Sequence, residues 1–308
     1  MEEYINKYLS HVGMRGDYTA KLYPCEICGD TKATIIREII DIGKEAFGRL
    51  PVVACNSCGF LFQNPRFNKT FYDYYYSKRY RDVVYGDSTP SQEFVDDQIR
   101  RGELLYQIVS KYFDQPGDML DVGSSVGAMM IPFIKHGWNT FGTDPDIGFV
   151  EYGRDKLNLP VVAAGAENME LEDNKYDFIM IIGSLEHCFD PNIVLQQCRK
   201  AARHNSILLL QGRGHPQKAS KKYFNHNHHR YFTMNSIELI MIKHGWKPFR
   251  TTDDPICGES RSGRIYCFGR LSEPPSREDF LNIISSGKRE VPQDILIKYE
   301  EIDRTMGV

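Results

Sequence analysis

The stretch Met119-Leu120-Asp121-Val122-Gly123-Ser124-Ser125-Val126-Gly127 begins as an apolar run, passes through a turn of small residues and leads into a second apolar run. This pattern predicts a buried strand, a glycine turn and the start of a helix. Farther along, Phe141-Gly142-Thr143-Asp144 has the pattern of a second strand that ends in a carboxylate. A turn of small residues lets a ligand approach the backbone, and a carboxylate at that position accepts hydrogen bonds from ribose hydroxyls. The two stretches together predict a nucleoside-binding βαβ unit.

Length and composition indicate a globular protein with one large domain, or a core with appendages. The chain has 308 residues, of which 41% are hydrophobic and 26% charged, and its net charge is −3. Such a balance argues against a nucleic-acid partner and against binding to an anionic membrane surface. The sequence contains no apolar run near the roughly 18 residues that span a membrane, and its acidic start, Met1-Glu2-Glu3-Tyr4, differs from a signal peptide. Cysteines in two Cys-x-x-Cys pairs fit a reducing compartment, so we expect a cytoplasmic protein.

From residue 118 onward, strand-like and helix-like segments alternate. Alternation of this kind predicts an α/β fold with a mostly parallel, seven-stranded sheet and helices on both faces. The last two strands can pair as an antiparallel hairpin. The predicted strands are 118–122, 138–143, 160–163, 176–182, 206–211, 246–251 and 264–270, and the predicted helices are 126–136, 147–157, 191–203 and 234–244.

The pattern divides the chain into four regions. Residues 1–66 form an N-terminal module that holds both cysteine pairs, and residues 67–117 form a helical, tyrosine-rich connector or lid. Residues 118–271 form the nucleoside-binding core. Residues 272–308 begin with a proline-containing linker and continue as a helical appendage, which we expect at the surface or between two copies of the chain in a homodimer.

Two other interpretations of the nucleoside site stay open from the turn alone. A dinucleotide dehydrogenase normally carries Gly-x-Gly-x-x-Gly, whereas Ser125 stands here where a middle glycine is common. The expected second mononucleotide half is also missing from the pattern. A strand, turn and helix without a ligand is the other alternative, because glycine turns are common.

Further segments resemble the motifs of class I S-adenosylmethionine-dependent methyltransferases, in the same order and at similar spacing. The similarity covers about residues 118–271 and implies a Rossmann-like fold. Besides Asp121–Gly127 and Asp144, the matching segments are Ala164-Gly165-Ala166-Glu167-Asn168, Tyr176-Asp177-Phe178-Ile179-Met180-Ile181-Ile182-Gly183-Ser184-Leu185-Glu186-His187, Asp190-Pro191 and His228-His229-Arg230-Tyr231-Phe232-Thr233.

The resemblance implies S-adenosylmethionine as the cofactor and a set of residues that hold it. Asp144 would bind the ribose. Many relatives have Asp where Gly165 stands, so the backbone of Ala166 or the side chain of Glu167 would replace it at the adenine. The cofactor-binding residues implied are Asp121, Gly123, Ser124, Ser125, Gly127, Asp144, Pro145, Ala166, Glu167, Gly183 and Ser184.

The N-terminal region carries a second strong pattern, the knuckles Cys25-Glu26-Ile27-Cys28-Gly29 and Cys55-Asn56-Ser57-Cys58-Gly59. Cys-x-x-Cys lets two thiolates converge on one ion, and four thiolates in a tetrahedron suit Zn²⁺. We therefore predict a zinc-ribbon-like module whose closed site is structural. Rubredoxin-like iron, a redox dithiol and an empty site are the alternatives.

A similar Cys-x-x-Cys-Gly segment followed by Asn64-Pro65-Arg66 precedes the core of some bacterial methyltransferases that act on sugars, lipids or secondary metabolites. This resemblance implies a small-molecule or glycan-type acceptor, such as a nucleotide-linked sugar. Two alternatives remain. An RNA methyltransferase with a zinc module would need phosphate contacts from Lys and Arg, whereas residues 1–66 are nearly balanced in charge. A non-catalytic zinc-ribbon interaction protein would bind no nucleoside.

Histidines are the candidates for the base that methyl transfer to a hydroxyl or carbon acid requires, because imidazole titrates near neutral pH. His187 follows the fourth predicted strand, and His228 lies in the loop after the fifth, at the same edge of the sheet. We predict His187 and His228 as catalytic residues. His226 and His229 are alternatives in that loop, and with His215 and His228 they form an irregular candidate metal cluster. The loop is also basic, which predicts either a solvated surface or a grip on an acidic substrate group; its cations are Arg213, Lys218, Lys221, Lys222 and Arg230.

Overall fold

The computed structural model describes residues 9–10, 20–38, 40–43, 46–48, 50–86, 89–215, 224, 228–287 and 290–306. Its centre is a seven-stranded sheet in the order β10-β9-β8-β11-β12-β15-β14. β15 is antiparallel to both of its neighbours, β12 and β14, whereas β8 to β12 pair in parallel. The predicted mostly parallel, Rossmann-like sheet is therefore confirmed. The strands are β1 (Ala20–Lys21), β2 (Ala33–Arg37), β3 (Ile40–Gly43), β4 (Ala46–Gly48), β5 (Val52–Cys55), β6 (Leu61–Gln63), β7 (Arg66–Phe67), β8 (Asp118–Val122), β9 (Asn139–Asp144), β10 (Val161–Ala163), β11 (Tyr176–Ile182), β12 (Ala202–Arg213), β13 (Arg230–Tyr231), β14 (Trp246–Thr252) and β15 (Arg264–Leu271).

Helices cover both faces of this sheet, as its alternating side chains require. Phe178, Met180 and Ile182 of β11 belong to one buried cluster, and Ile179 and Ile181 to another. Because neighbouring side chains of a strand point to opposite faces, β11 is buried on both sides. The α-helices are α1 (Lys69–Lys78), α2 (Tyr80–Tyr85), α3 (Gln92–Val109), α4 (Ile131–Lys135), α5 (Ile147–Leu157), α6 (Pro191–Ala201), α7 (Met234–Lys243), α8 (Arg277–Ser286) and α9 (Pro292–Met306).

The helix predicted over residues 126–136 is much shorter in the structure. Gly127 has a left-handed backbone with φ of 78°, so a regular helix cannot run through it. Ala128–Met130 form one turn of 3₁₀ helix, and α4 starts only at Ile131, with Pro132 in its first turn. Proline suits that position because it lacks the N–H that the helix interior would use.

The N-terminal region shares a sheet with a strand from the late part of the chain. Its main sheet has the order β13-β6-β5-β2, so a strand from the late loop, β13, pairs with β6. The register joins Arg230 to Phe62 and Tyr231 to Leu61. Local sequence patterns cannot show this pairing, because the two strands are far apart in the chain.

A buried ion cluster fastens the module to the core. Glu26 lies between two of the knuckle cysteines; its Oε1 is 2.6 Å from Nη2 of Arg66, and its Oε2 accepts a hydrogen bond of 2.6 Å from Nε of Arg230. Arg230 is fully buried and also donates to the carbonyl of Cys188, at 2.6 Å. Arg230 thus shares the carboxylate of Glu26 with Arg66, and its donors point to acceptors, as a buried guanidinium requires.

The helices of the C-terminal region pack on the core and on the N-terminal module. Phe280 and Ile284 of α8 join the same buried cluster as the core strands. Ile295 and Tyr299 of α9 are buried against the module, where α9 packs on β2 and β5. Apolar residues at helical spacing explain this packing, which the linker-like start of the region conceals. Across the described parts of the chain, we find no helix that is both long and apolar enough to cross a membrane.

Candidate functional site

A cavity of about 640 Å³ opens at the carboxyl ends of the parallel strands, where open α/β sheets bind their ligands. Residues that follow β8, β9 and β10 form one side of it. Residues that follow β11 and β12, together with the start of the reversed strand β15, form the other. The helices α1 and α2 contribute Tyr72, Tyr76, Tyr80 and Arg81 to its lining.

The turn after β8 is shaped by a close approach of β11. A Cβ atom on Gly123 would lie 2.3 Å from the Cβ of Ser184, so this position has no room for a side chain. The hydroxyl of Ser184 donates to the carbonyl of Val122 at 2.7 Å and keeps the two segments together. Ser125 then takes a left-handed conformation with φ of 58°, which is uncommon outside glycine.

Asp144 fixes this turn from the neighbouring strand. Its Oδ2 accepts the backbone N–H of Ser125 at 2.8 Å, and its Oδ1 accepts the N–H of Asp146 at 3.0 Å. A second carboxylate, Asp121, lies beside it, one residue before the end of β8. Burial, and then the charge of Asp144, raise the pKa of Asp121 to about 8. The site therefore contains a carboxylic acid that is easily ionised by a nearby positive charge.

All of the cofactor-binding residues predicted from the sequence, except Gly127, line this cavity. Gly127 has another role, because a Cβ there would lie 2.6 Å from the side chain of Val161. The Oε1 atom of Glu167 accepts the backbone N–H of Phe189 at 2.6 Å and of Asp190 at 3.1 Å, just before α6. Part of the Glu167 carboxylate thus supports that helix start, and Asn168 also lines the cavity beside it.

Three proton-accepting side chains meet at the other side of the cavity. The ligand atoms of Glu186, His187 and His228 all lie within 4.8 Å of one another. The rings of His187 and His228 are 4.9 Å apart, and Nδ1 of His187 is 3.1 Å from the hydroxyl of Tyr76. The structure therefore brings the two predicted catalytic histidines together.

Arginines surround this group. Nη1 of Arg213 donates to Nε2 of His228 at 3.4 Å, and Nη1 of Arg264 lies 3.8 Å from Oε1 of Glu186. Burial, followed by the charge of Arg213, lowers the pKa of His228 well below its usual value. His228 is therefore neutral near pH 7.

The other histidines considered from the sequence lie elsewhere. His229 is fully buried, with its ring 4.2 Å from that of Tyr72, and it does not line the cavity. His215 is buried with Nδ1 3.6 Å from a carboxylate oxygen of Glu290. His226 and the lysines 218, 221 and 222 fall outside the described residues. The four-histidine cluster suggested by the sequence does not form among those that are described.

The tyrosine-rich segment both packs and lines the cavity. Tyr72 and Tyr76 stack with their rings 6.2 Å apart. Arg81 lies over the ring of Phe149, 4.0 Å from its centre, and donates to the hydroxyl of Ser125 at 3.3 Å. The segment thus contacts the turn after β8 directly, through Arg81 and Ser125.

The four knuckle cysteines converge at a second site. Sγ of Cys25 is 3.5 Å from that of Cys58, and Sγ of Cys28 is 3.4 Å from that of Cys55. The knuckles have the same form, since the N–H groups of Gly29 and Gly59 bond back to the carbonyls of Cys25 and Cys55, at 2.8 and 2.9 Å. Four sulfurs at such distances can surround one ion.

Comparison with known proteins agrees with this geometry. Residues 120–210 match the family described as "Methyltransferase domain". This part of the chain is similar to methyltransferase domains, in agreement with the enzyme class predicted for the core.

One curated relative is a ubiquinone biosynthesis O-methyltransferase of Rhodopseudomonas palustris (strain HaA2), 26% identical over 96 residues, or 30% of this chain. The match spans only 38% of that relative's length. A solved structure with the same fold is the 1,6-didemethyltoxoflavin-N1-methyltransferase of Burkholderia thailandensis, with bound 1,6-didemethyltoxoflavin and S-adenosylhomocysteine. Its identity is 12% and its TM-score 0.52, and the alignment covers 77% of this chain and 100% of that one.

Several residues of the cavity were not predicted. Glu186 stands within the Leu-Glu-His segment, but only its neighbour His187 was assigned a role. Arg264 lies at the start of a strand that runs against the others, and a sheet with this topology brings strand starts and strand ends to one edge. Arg81, Gln98 and Arg101 come from α2 and α3, where no pattern in the sequence marks them.

The raised pKa of Asp121 predicts a pH dependence of stability. An unfolded Asp ionises near pH 3.9, so between about pH 4 and pH 8 the folded chain keeps a proton that the unfolded chain has released. The free energy of unfolding should therefore fall as the pH rises through this range. In Asp121→Asn this contribution disappears, so the variant should gain stability relative to the wild type between pH 5.5 and 8.5, measured by urea unfolding without cofactor.

Asp155→Asn is the matched control. Asp155 is exposed, and a hydrogen bond from Arg154 lowers its pKa, so it is ionised throughout this pH range. Its variant should follow the wild type at both pH values. If Asp121→Asn also followed the wild type, the raised pKa would be wrong.

Proposed function

We propose that the chain binds S-adenosylmethionine in the 640 Å³ cavity and transfers its methyl group to a small acceptor. One observation supports this proposal most directly. The turn held by Asp144 and the group formed by Glu186, His187 and His228 line the same cavity. A cofactor site alone would fit a binding protein. A cofactor site that opens onto a pair of histidines fits a methyltransferase with its acceptor beside the donor.

The residues on the β8–β10 side suit this cofactor. Asp144, with its orientation fixed by two backbone N–H groups, would accept hydrogen bonds from the ribose hydroxyls. Pro145, Ala164 and Ala166 provide small or apolar surfaces next to it. Asp121 lies at the buried end of the same side, where its negative form would be stabilised by the cofactor's positive charge. When bound, S-adenosylmethionine supplies an electrophilic methyl group.

The residues on the β11–β12 side suit an acceptor that must lose a proton. His228 is held neutral by burial, so its ring is uncharged at physiological pH. The contact with Arg213 uses Nε2 of His228 as the acceptor, since a guanidinium can only donate, and the proton of the neutral ring is therefore on Nδ1. The hydroxyl of Tyr76 orients the ring of His187. We propose that His228 holds the acceptor and that His187 takes up its proton.

The tyrosines that line the site support a small-molecule acceptor, and a nucleotide-linked sugar belongs to this class. Tyr72, Tyr76 and Tyr80 cover the acceptor side of the cavity with partly or fully buried rings. A cavity of about 640 Å³ has room for a cofactor and a compact second ligand. The net charge of −3 also lacks the excess of basic residues expected of an RNA-binding surface.

We propose Zn²⁺ as the ion of the four-cysteine site, in a module formed by residues 1–66 together with β13. Four thiolates are the ligand set that structural zinc prefers, and they leave no open position for catalysis. The same four thiols must stay reduced to bind metal, which favours the reducing cytoplasm as the protein's location. The ion would stabilise the sheet on which the acceptor side of the cavity rests.

Calorimetry with S-adenosylhomocysteine tests the cofactor site. Asp144→Asn should weaken binding by about 10-fold or more, because a ribose–carboxylate contact is a charge-assisted hydrogen bond. Asp155→Asn, with its change at the surface, should bind like the wild type. If Asp144→Asn kept full affinity while remaining folded by circular dichroism, the ribose assignment would fail.

Turnover tests the histidines. With an acceptor found by release of S-adenosylhomocysteine from a small-molecule panel, His228→Asn and His187→Asn should each lower kcat by roughly 100-fold, because the first variant loses a group that positions the acceptor and the second loses the base. Their affinity for S-adenosylhomocysteine should stay within about two-fold of the wild type. His136→Asn is the control, because His136 stacks on Tyr106 away from the cavity. Unchanged kcat in both variants would remove the histidines from the reaction.

Metal analysis tests the zinc site. The wild type should contain one zinc per chain, and Cys55→Ser should lose it together with several degrees of thermal stability, because a structural ion contributes directly to folding. Cys198→Ser replaces a buried thiol outside the cluster and should keep its zinc. Full zinc in Cys55→Ser would contradict the four-cysteine site.

A further inference from the structure

Three arginines form one wall of the cavity on the acceptor side, and we call Arg213, Arg261 and Arg264 the arginine wall. Arg213 ends β12 and Arg264 begins β15, and the antiparallel register of the two strands places these residues directly opposite each other. Arg261 lies three positions before Arg264, in the turn of 3₁₀ helix Glu259–Arg261. The topology of the sheet therefore concentrates positive charge beside His228 and Glu186.

The wall contains more positive charge than its surroundings balance. Among the described residues, Glu186 is the carboxylate that faces it, 3.8 Å from Nη1 of Arg264 and so beyond hydrogen-bond distance. That Nη1 atom is buried and has no hydrogen-bond partner in the described part of the chain. Burial lowers the pKa of Arg264, Glu186 partly opposes this, and the charges of Arg213 and Arg261 lower it further. Guanidinium groups do not lose their proton in proteins, so the excess charge must be met by something else.

A metal ion is the first alternative, because Glu186, His187 and His228 together resemble a ligand set of two histidines and one carboxylate. The neighbouring arginines argue against it. Arg213 already donates to Nε2 of His228, and Arg264 lies next to Glu186. Two unit charges about 4 Å apart repel by about 4 kcal/mol at a protein surface, and a dication doubles this. The same arrangement attracts a negative group.

We propose that the acceptor carries an oxyanion, either a carboxylate or a phosphate group, and that the arginine wall binds it. This inference rests on the proposed function and narrows its substrate class. Planar guanidinium groups bind such oxyanions through paired hydrogen bonds, which fix orientation as well as position. An acceptor held in this way would have its anionic group at β12 and β15 and its reacting atom beside His187 and His228, toward the cofactor side.

The test uses the zinc-loaded protein saturated with S-adenosylhomocysteine. Inorganic phosphate, and in a separate experiment acetate, is titrated into it at constant ionic strength, and binding is measured by calorimetry. At least one anion should bind saturably, and the anion that binds shows whether the arginine wall takes a phosphate or a carboxylate group. Arg264→Gln should weaken this binding at least 10-fold. Arg213→Gln is the second variant and should do the same. Arg154→Gln changes an exposed arginine outside the cavity and should bind the anion like the wild type.

Two results would overturn the proposal. One is the absence of saturable binding of either anion, or equal binding by the wild type and both cavity variants. The other is a second equivalent of Mn²⁺ or Zn²⁺ that binds the wild type and is lost in His228→Asn, since a cation would then occupy the site. Failure to bind S-adenosylhomocysteine would instead contradict the proposed function, so the two failures can be told apart.

Discussion

The hydrogen bond from the backbone N–H of Ser125 to Asp144 is the contact on which the site depends. It joins the turn after β8 to the end of β9 and holds Ser125 in its left-handed conformation. The hydroxyl of the same serine accepts a hydrogen bond from Arg81, so the helix α2 is attached to the turn as well. One carboxylate thereby positions the floor of the cavity and, through one residue, part of its cover. A ligand that binds Asp144 would be in contact with both.

The cavity is electrically polarised along the order of its strands. Asp121 and Asp144 lie on the side of β8 and β9, where Asp146 is paired with Arg81 at 3.9 Å, and the arginine wall lies on the side of β12 and β15. Charges of one sign are expensive to bury together unless a ligand of opposite sign reduces their repulsion. On the acidic side, burial and the charge of Asp144 raise the pKa of Asp121 for this reason. A positively charged donor and a negatively charged acceptor would each be drawn to their own side, with the reacting atoms between them.

Local patterns in the sequence were sufficient to predict most strands and helices of the core and the four-cysteine cluster. The strand at Tyr176–Ile182 and the helix at Ile147–Leu157 have the bounds that were predicted, because an apolar run and an amphipathic period are properties of contiguous residues. The Cys-x-x-Cys knuckles could be predicted for the same reason, since each lies within a few contiguous residues. The prediction of one helix over residues 126–136 was wrong at Gly127, where the backbone departs from the helical conformation. The pairing of β13 with β6, and the meeting of Arg213 with Arg264, depend on contacts between distant segments, which a local pattern does not contain.

Arg230 connects the two sites, which the sequence presents as independent. On one side it binds Glu26, between Cys25 and Cys28 of the first knuckle. On the other it donates to the carbonyls of Leu185 and Cys188, which flank Glu186 and His187. A guanidinium that is fully buried cannot shift without leaving charges unpaired, so the knuckle and the acceptor side of the cavity must move together. The four-cysteine cluster is therefore linked, through Glu26 and Arg230, to the backbone that carries His187.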